Sequence, residues 1–142
     1  VLNPRAGTLS PLVDAEPPEV VRGMLAARSH IAALEVMCAA EGTAADLLRQ
    51  VMLGYISYGL GLVGDVVERP RDIDRIMAFG FGWAPPGMLV DAIGPGRTIV
   101  MLEKARLPVP DALLQAAVHQ RPMFLEAVEA SRFFPIPRAV AA

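Results

Sequence analysis

The chain has 142 residues, a hydrophobic fraction of 54%, a charged fraction of 20% and a formal net charge of -2. This length fits one domain, because a single hydrophobic core typically spans about one to two hundred residues before a chain divides. The arginines are spread from Arg5 to Arg138 and form no basic stripe, which argues against a nucleic-acid partner. The single cysteine, Cys38, can form no internal disulfide, which fits a reducing compartment, and we predict a cytoplasmic protein.

Residues 1–17 are predicted to form an extended arm or linker. The opening segment is rich in proline and has no helical period, which favours extended chain or a weak hairpin with its turn near Arg5-Ala6-Gly7. Val1 replaces the usual initiator Met and no cleavable leader pattern follows it, so we expect a fragment or a processed piece.

A helical domain is predicted over residues 18–120. Apolar residues recur at spacings of three and four from Pro18 to Ala40, which predicts one helix, or two with a break near Ser29. A longer helix is predicted from Thr43 to Val67.

Local signals and an apolar face define this long helix. Thr43 and Asp46 have the spacing of a helix cap, and Pro70 stops the pattern. We expect the apolar face to be buried; it includes Leu47, Leu48, Val51, Met52, Tyr55, Tyr58, Leu62, Val63 and Val66. The stretch from Val51 to Val67 contains Asp65 and is shorter than the roughly 20 residues that cross a membrane, so no membrane span is predicted.

Four small residues, Gly54, Ser57, Gly61 and Gly64, form one stripe along the long helix. Each glycine destabilises a helix interior by about 0.5–1 kcal/mol relative to alanine, so the stripe predicts close packing against another backbone. That neighbour belongs either to this chain or to a second subunit or domain.

The second half of the chain is predicted to continue as short helices. They cover Pro70 to Phe79, Met88 to Ile93, Thr98 to Ala105 and Asp111 to His119, and residues 121–142 are predicted to form a tail. Asp72 and Asp74 lie where a helix N-terminus favours negative charge. The predicted fold class is therefore all-α, a compact multi-helix domain.

The sequence contains no complete catalytic or cofactor-binding pattern. Gly59, Gly61 and Gly64 match the spacing of a dinucleotide-binding turn, but a helical pattern surrounds them and no strand precedes them. His30, His119 and Cys38 occur at unrelated spacings, so no metal site is predicted. We predict neither a catalytic residue nor a cofactor bound by this chain.

An aromatic loop between glycines, Phe81-Gly82-Trp83, is the predicted contact surface for an acyl chain or a neighbouring domain. The alternative is that both rings enter the core. Asp91 has an ordinary structural interpretation as the partner of a nearby arginine or backbone N–H.

Two runs in the middle of the chain carry a family resemblance: Arg69-Pro70-Arg71-Asp72-Ile73-Asp74-Arg75-Ile76-Met77-Ala78-Phe79-Gly80-Phe81-Gly82-Trp83 and, further on, Asp91-Ala92-Ile93-Gly94. Together they resemble the C-terminal helical domain of the 3-hydroxyacyl-CoA dehydrogenases. That family has a long helix, a phrase of the type D-I-D-R-x-M-x-x-G-F-G-[FW], a Pro/Gly turn and D-x-[IL]-G in this order. Val1-Leu2-Asn3-Pro4 also resembles the linker before the second helical repeat of the longer bacterial members. The family's Gly-Pro-Phe-Glu turn is replaced by Pro85-Pro86-Gly87-Met88.

The resemblance implies the fold of the 3-hydroxyacyl-CoA and 6-phosphogluconate dehydrogenase C-terminal domains. It also implies a parent oxidoreductase of fatty-acid β-oxidation, in which a separate Rossmann domain binds NAD and supplies the catalytic His/Glu pair. The helical part would close over the acyl-CoA, pack against the Rossmann domain and form a homodimer, with Phe81, Gly82, Trp83 and Asp91 as contact residues. None of the family's catalytic residues matches a position in this chain, so the chain alone is predicted to be inactive.

Two other functions are compatible with the sequence. One is a non-enzymatic helical interaction or dimerisation module with the same shape. The other is an acyl or lipid carrier.

Overall fold

A computed structural model describes residues 2–3, 7–9 and 16–124 of the chain, and over these residues the fold is all-α apart from one minimal hairpin. The elements are β1 (Leu2–Asn3), β2 (Thr8–Leu9), α1 (Glu19–Ala26), α2 (His30–Ala39), α3 (Thr43–Gly61), α4 (Pro70–Arg75), a π-helical segment (Ile76–Phe81), α5 (Pro86–Ile93), α6 (Pro95–Lys104) and α7 (Asp111–His119).

The hairpin and the first two helices follow the sequence prediction. Strands β1 and β2 pair antiparallel, with Leu2 opposite Leu9, as the hairpin alternative predicts. The rest of the predicted arm, apart from Gly7 and residues 16–17, lies outside the described residues. The break between α1 and α2 occurs at Ser29, whose hydroxyl accepts a hydrogen bond from the backbone N–H of Ala32 at 3.1 Å.

Helix α3 begins at Thr43 as predicted but ends at Gly61, six residues before Val67. The chain then turns on itself, and Gly64 has a φ of +98° that favours glycine. The Gly64 N–H donates to the carbonyl of Val67 at 2.8 Å, which closes the turn. The predicted cap is also wrong, since Gly42 is the N-cap residue and the Asp46 carboxylate pairs with Arg49 instead.

The buried face of α3 matches the predicted one only in part, because Met52 and Tyr55 pack against the core but other predicted residues do not. Leu53, Ile56 and Leu60 are fully buried, whereas Leu47, Val51 and Tyr58 are exposed. Helix α5 packs against α3, and α6 and α7 complete the core. The buried cluster consists of Leu53, Ile56, Leu60, Leu89, Val90, Ile93, Leu102, Leu113, Ala116 and Met123.

The later helices lie close to their predicted positions. Helix α7 has the predicted bounds, and α5 and α6 begin at Pro86 and Pro95, two and three residues early, because proline suits the first helical position. The predicted tail lies outside the described residues from position 125 onward. Among the described residues no single helix is long and apolar enough to cross a membrane, although the bent pair Pro70–Phe81 and Pro86–Ile93 meets the length and composition criteria when combined.

Candidate functional site

The aromatic segment, Phe81-Gly82-Trp83, is exposed, as the prediction of a contact surface requires. Helix α4 continues into the π-helical segment, which ends at Gly82 in the left-handed conformation (φ +65°) that favours glycine. The side chains of Phe81 and Trp83 are 65% and 59% exposed, and those of Ile76 and Phe79 are also exposed. The alternative in which both predicted rings enter the core is therefore wrong.

Tyr55 on α3 positions the aromatic segment. Its ring packs edge-on against the Trp83 ring, with 5.8 Å between the centroids and 64° between the planes. Its hydroxyl donates a hydrogen bond to the carbonyl oxygen of Ala84 at 2.8 Å, and burial raises the pKa of that hydroxyl to about 12. Trp83 is thus held beside α3, although it is exposed.

Asp74 forms the second attachment of this segment. Its side chain is almost completely buried, and its Oδ1 accepts a hydrogen bond from the backbone N–H of Gly87 at 2.7 Å. Its Oδ2 has no hydrogen-bond partner among the described residues. A Cβ at Gly87 would lie 2.4 Å from this Oδ2, so glycine is needed for the carboxyl to fit. Asp72 lies in the first turn of α4 as predicted, whereas the prediction of Asp74 as a helix N-terminal charge is wrong.

The environment of Asp74 favours its protonated form. Burial raises its pKa from 3.8 to about 7, and the nearby Asp91 carboxylate adds to the increase. The hydrogen bond from Gly87 opposes this shift because it stabilises the charged form. A substantial fraction of Asp74 is therefore neutral near pH 7.

Asp91 binds backbone amides, in agreement with its structural interpretation. Its two carboxylate oxygens accept hydrogen bonds from the N–H groups of Met123 and Phe124 at 2.8 and 2.9 Å. Burial raises the Asp91 pKa, and these two hydrogen bonds oppose the rise. Asp91 thus attaches the segment after α7 to α5, and among the described residues no hydrogen bond joins it to Phe81, Gly82 or Trp83. Its predicted role as a substrate or domain contact stays a prediction.

The three glycines of the predicted small-residue stripe do not pack against another described part of this chain. A Cβ at Gly54, Gly61 or Gly64 would meet no described atom within 4 Å, and Gly64 lies beyond the end of α3. Ser57 is buried, but its hydroxyl donates to the carbonyl of Pro108 at 2.6 Å. Ser57 alone of the stripe therefore contacts another described backbone of this chain, the three glycines have no close described neighbour, and an interface with a second subunit or domain stays a prediction.

Gly59 is the glycine of α3 that permits close packing. A Cβ at this position would lie 3.3 Å from Cγ of Pro86 and 3.5 Å from Cγ2 of Ile73. Gly59 is not part of the predicted stripe, although it lies three residues after buried Ile56 and therefore on the same helix face.

Other chemistry is not visible in the described part of the chain. Residues 16–124 contain no group of three or more His, Cys, Asp or Glu side chains that could hold a metal ion. Cys38 is partly buried against the core, consistent with its interpretation as a small hydrophobe, and burial raises the pKa of its thiol.

Comparisons with protein-family models, curated proteins and solved structures find no match for this chain. None of these comparisons supports the resemblance to the 3-hydroxyacyl-CoA dehydrogenases, which rests on the sequence motifs alone.

Proposed function

We propose that this chain is the C-terminal helical domain of an NAD-dependent 3-hydroxyacyl-CoA dehydrogenase. In this proposal it forms the acyl side of the substrate cleft and packs against the Rossmann domain. The supporting observation is that the sequence carrying the resemblance folds as one unit. Its buried residues Ile73 and Asp74 attach α4 to α3 and α5, and its aromatic residues Phe81 and Trp83 remain exposed.

The physical contribution of this unit would be apolar area in a fixed position. Large rings bury much surface on binding and lose little conformational freedom when they are already held. Tyr55 fixes Trp83 through its ring and the following residue, Ala84, through a hydrogen bond. An acyl chain laid against Phe81 and Trp83 would be shielded from water while the parent enzyme oxidises the 3-hydroxyl group.

In this proposal the Rossmann domain and the helical domain have different roles. The Rossmann domain of the parent enzyme would hold NAD, which would supply the hydride acceptor, and the residues of this chain would bind and orient the acyl part. The sequence encoded immediately upstream of Val1 tests this division directly. We expect a βαβ unit with a Gly-x-Gly-x-x-Gly turn in the same reading frame, and micromolar NAD binding by the isolated chain would contradict the proposal.

Trp83 provides a direct reporter of acyl-CoA binding, because it is the only tryptophan in the chain. Titration with a medium-chain acyl-CoA should shift its emission to shorter wavelength in a saturable manner, as its exposed ring becomes covered. Phe81→Ser retains the reporter and should weaken binding about five- to tenfold, since it removes one large apolar contact. Leu114→Ser, at an exposed apolar position on α7, is the control. An emission spectrum that does not change with acyl-CoA contradicts this role of the aromatic segment.

The alternative is a non-enzymatic dimerisation module, and the exposed face of α3 favours it. Leu47, Val51 and Tyr58 are exposed on this helix at spacings of four and seven, with Gly54 between Val51 and Tyr58. Contiguous exposed apolar surface of this kind typically marks an interaction site.

Gly54→Ala distinguishes an unoccupied α3 face from a close interface. If the face is unoccupied, alanine should stabilise the monomer by about 0.5–1 kcal/mol, because it favours the helix and its methyl group meets no described atom. If another backbone packs there, the same methyl group should weaken association. Thermal denaturation and sedimentation equilibrium measure the two effects, and a stabilised variant with an unchanged monomer mass contradicts the dimerisation module.

A further inference from the structure

A cavity lies between α2, α3 and α6, and neither aromatic ring of the segment Phe81-Gly82-Trp83 lines it. It is half-open and has a volume of about 560 Å³, within the range of small-molecule sites. Since neither ring lines it, a ligand in this cavity would not contact Phe81 or Trp83.

The cavity lining is positively charged, although the whole chain carries a net negative charge. Arg49, Arg97 and Lys104 line it, against one carboxylate, Asp46. Glu35 pairs with Arg97 through Nη1 at 2.6 and 2.8 Å and offsets one further charge. The surroundings of the cavity thus retain an excess of positive charge.

Several cationic donors in this lining have no acceptor. Lys104 makes no hydrogen bond or ion pair within the described residues, and Arg97 uses only its Nη1 group. Arg49 is more fully engaged, because it binds Asp46 and the carbonyls of Met37 and Ala40 at the end of α2. Lys104 and Arg97 are therefore the groups available to an anion.

The remaining wall of the cavity is largely apolar. Leu53, Val100 and Met101 contribute aliphatic and thioether surface. Cys38 adds a thiol whose pKa is raised by burial, so this group contributes no negative charge near neutral pH. A ligand that matches both parts of the wall has an anionic end and an apolar end.

We propose that this cavity binds a small amphiphilic anion, a carboxylate or phosphate that carries a short aliphatic chain. The anionic group lies at Lys104, and the chain lies along α6 against Met101 and Val100, towards Arg97. A neutral apolar ligand fits less well, because it would remove water from Lys104 without supplying an acceptor. This site goes beyond the proposed function and does not depend on it.

Calorimetric titration of the full chain with octanoate and with octyl phosphate tests the proposal. We expect saturable one-to-one binding of at least one of them, and the stronger of the two identifies the anionic group. Octanol and inorganic phosphate are the controls, and each should bind about tenfold more weakly or not at all, because it supplies only one half of the ligand. No saturable binding of either amphiphile, or equal binding of inorganic phosphate, overturns the proposal.

Two substitutions at exposed positions locate the binding site. Lys104→Gln should weaken binding about five- to tenfold by removing one cation, and Val100→Glu should weaken it further through repulsion. Arg75→Gln removes an exposed cation that does not line the cavity and is the matched control. If all three variants bind like the wild-type chain, the anion binds elsewhere and the proposal fails.

Discussion

Asp74→Asn is expected to gain stability relative to the wild-type chain by about 2–3 kcal/mol as the pH rises from 5 to 8. The folded pKa of Asp74 is about 7, whereas the ordinary value is 3.8, so the folded chain retains this proton more strongly than the unfolded chain. The stabilising contribution of protonation is complete below about pH 3.8 and is lost as the pH rises towards 7. Asparagine cannot ionise, so the stability of the variant does not fall with pH for this reason.

Urea denaturation at half-unit pH intervals gives the difference in unfolding free energy between the two proteins. The difference in unfolding free energy at pH 5 depends on how the asparagine amide is accommodated. The test is therefore how this difference changes with pH. Asp72→Asn removes a carboxyl group from the same helix at a less buried position and serves as the control. Parallel profiles for wild type and Asp74→Asn would contradict the assignment of a protonated buried carboxyl.

The neighbours of Asp74 define what else could affect this profile. Asp91 on α5 and Tyr55 on α3 are the titratable groups that interact with it electrostatically. Both remain in the variant, and the Tyr55 pKa of about 12 lies above the measured range. The pKa of Asp91 is itself raised, so a carbon-detected NMR titration of the two carboxyl groups would separate their contributions.

The helices that could be predicted are those with strong local signals. Pro70 begins α4 as predicted, and Ser29 separates α1 from α2 through a side-chain cap. These features depend on backbone geometry within a few residues. Local sequence is sufficient to indicate them.

The orientation of α3 could not be predicted in the same way. This helix is apolar on more than one side, so the three- and four-residue spacings fit two faces, and only the position of α5 selects the face with Leu53, Ile56 and Leu60. Its end at Gly61 reflects competition between further helical turns and a glycine turn at Gly64. Both outcomes depend on tertiary packing that local periodicity does not contain.

The candidate site shows the same division between local and long-range information. Phe81 and Trp83 are exposed, as the contact prediction requires, and their role as contact residues stays a prediction. The partners Tyr55 and Gly87 come from elsewhere in the chain, 28 positions before Trp83 and 13 after Asp74. Asp74 therefore has the sequence context of an ordinary helix-terminal carboxylate and is instead buried by a neighbouring helix.

Gly87→Ala is expected to destabilise the chain by about 2–4 kcal/mol, since it combines overpacking with the loss of a buried hydrogen bond. The added methyl carbon would lie 2.4 Å from Oδ2 of Asp74 and 3.2 Å from its Cγ and Oδ1. The carboxyl is almost completely buried, so it can give way only by moving off the Gly87 N–H or by displacing α5. Either movement disturbs the loop with Trp83, whose emission should shift along with the melting temperature.

Gly96→Ala is a closely matched control for this prediction. Gly96 also follows a proline at the second position of a helix, but a Cβ there meets no described atom within 4 Å. Alanine at this position should be neutral or stabilise by up to about 1 kcal/mol. Adding Gly87→Ala to Asp74→Ala should have a much smaller effect than in the wild-type chain, because the carboxyl that it would overlap is gone. Equal effects in the two backgrounds would show that the destabilisation arises from the helix start itself and not from the contact between Asp74 and Gly87.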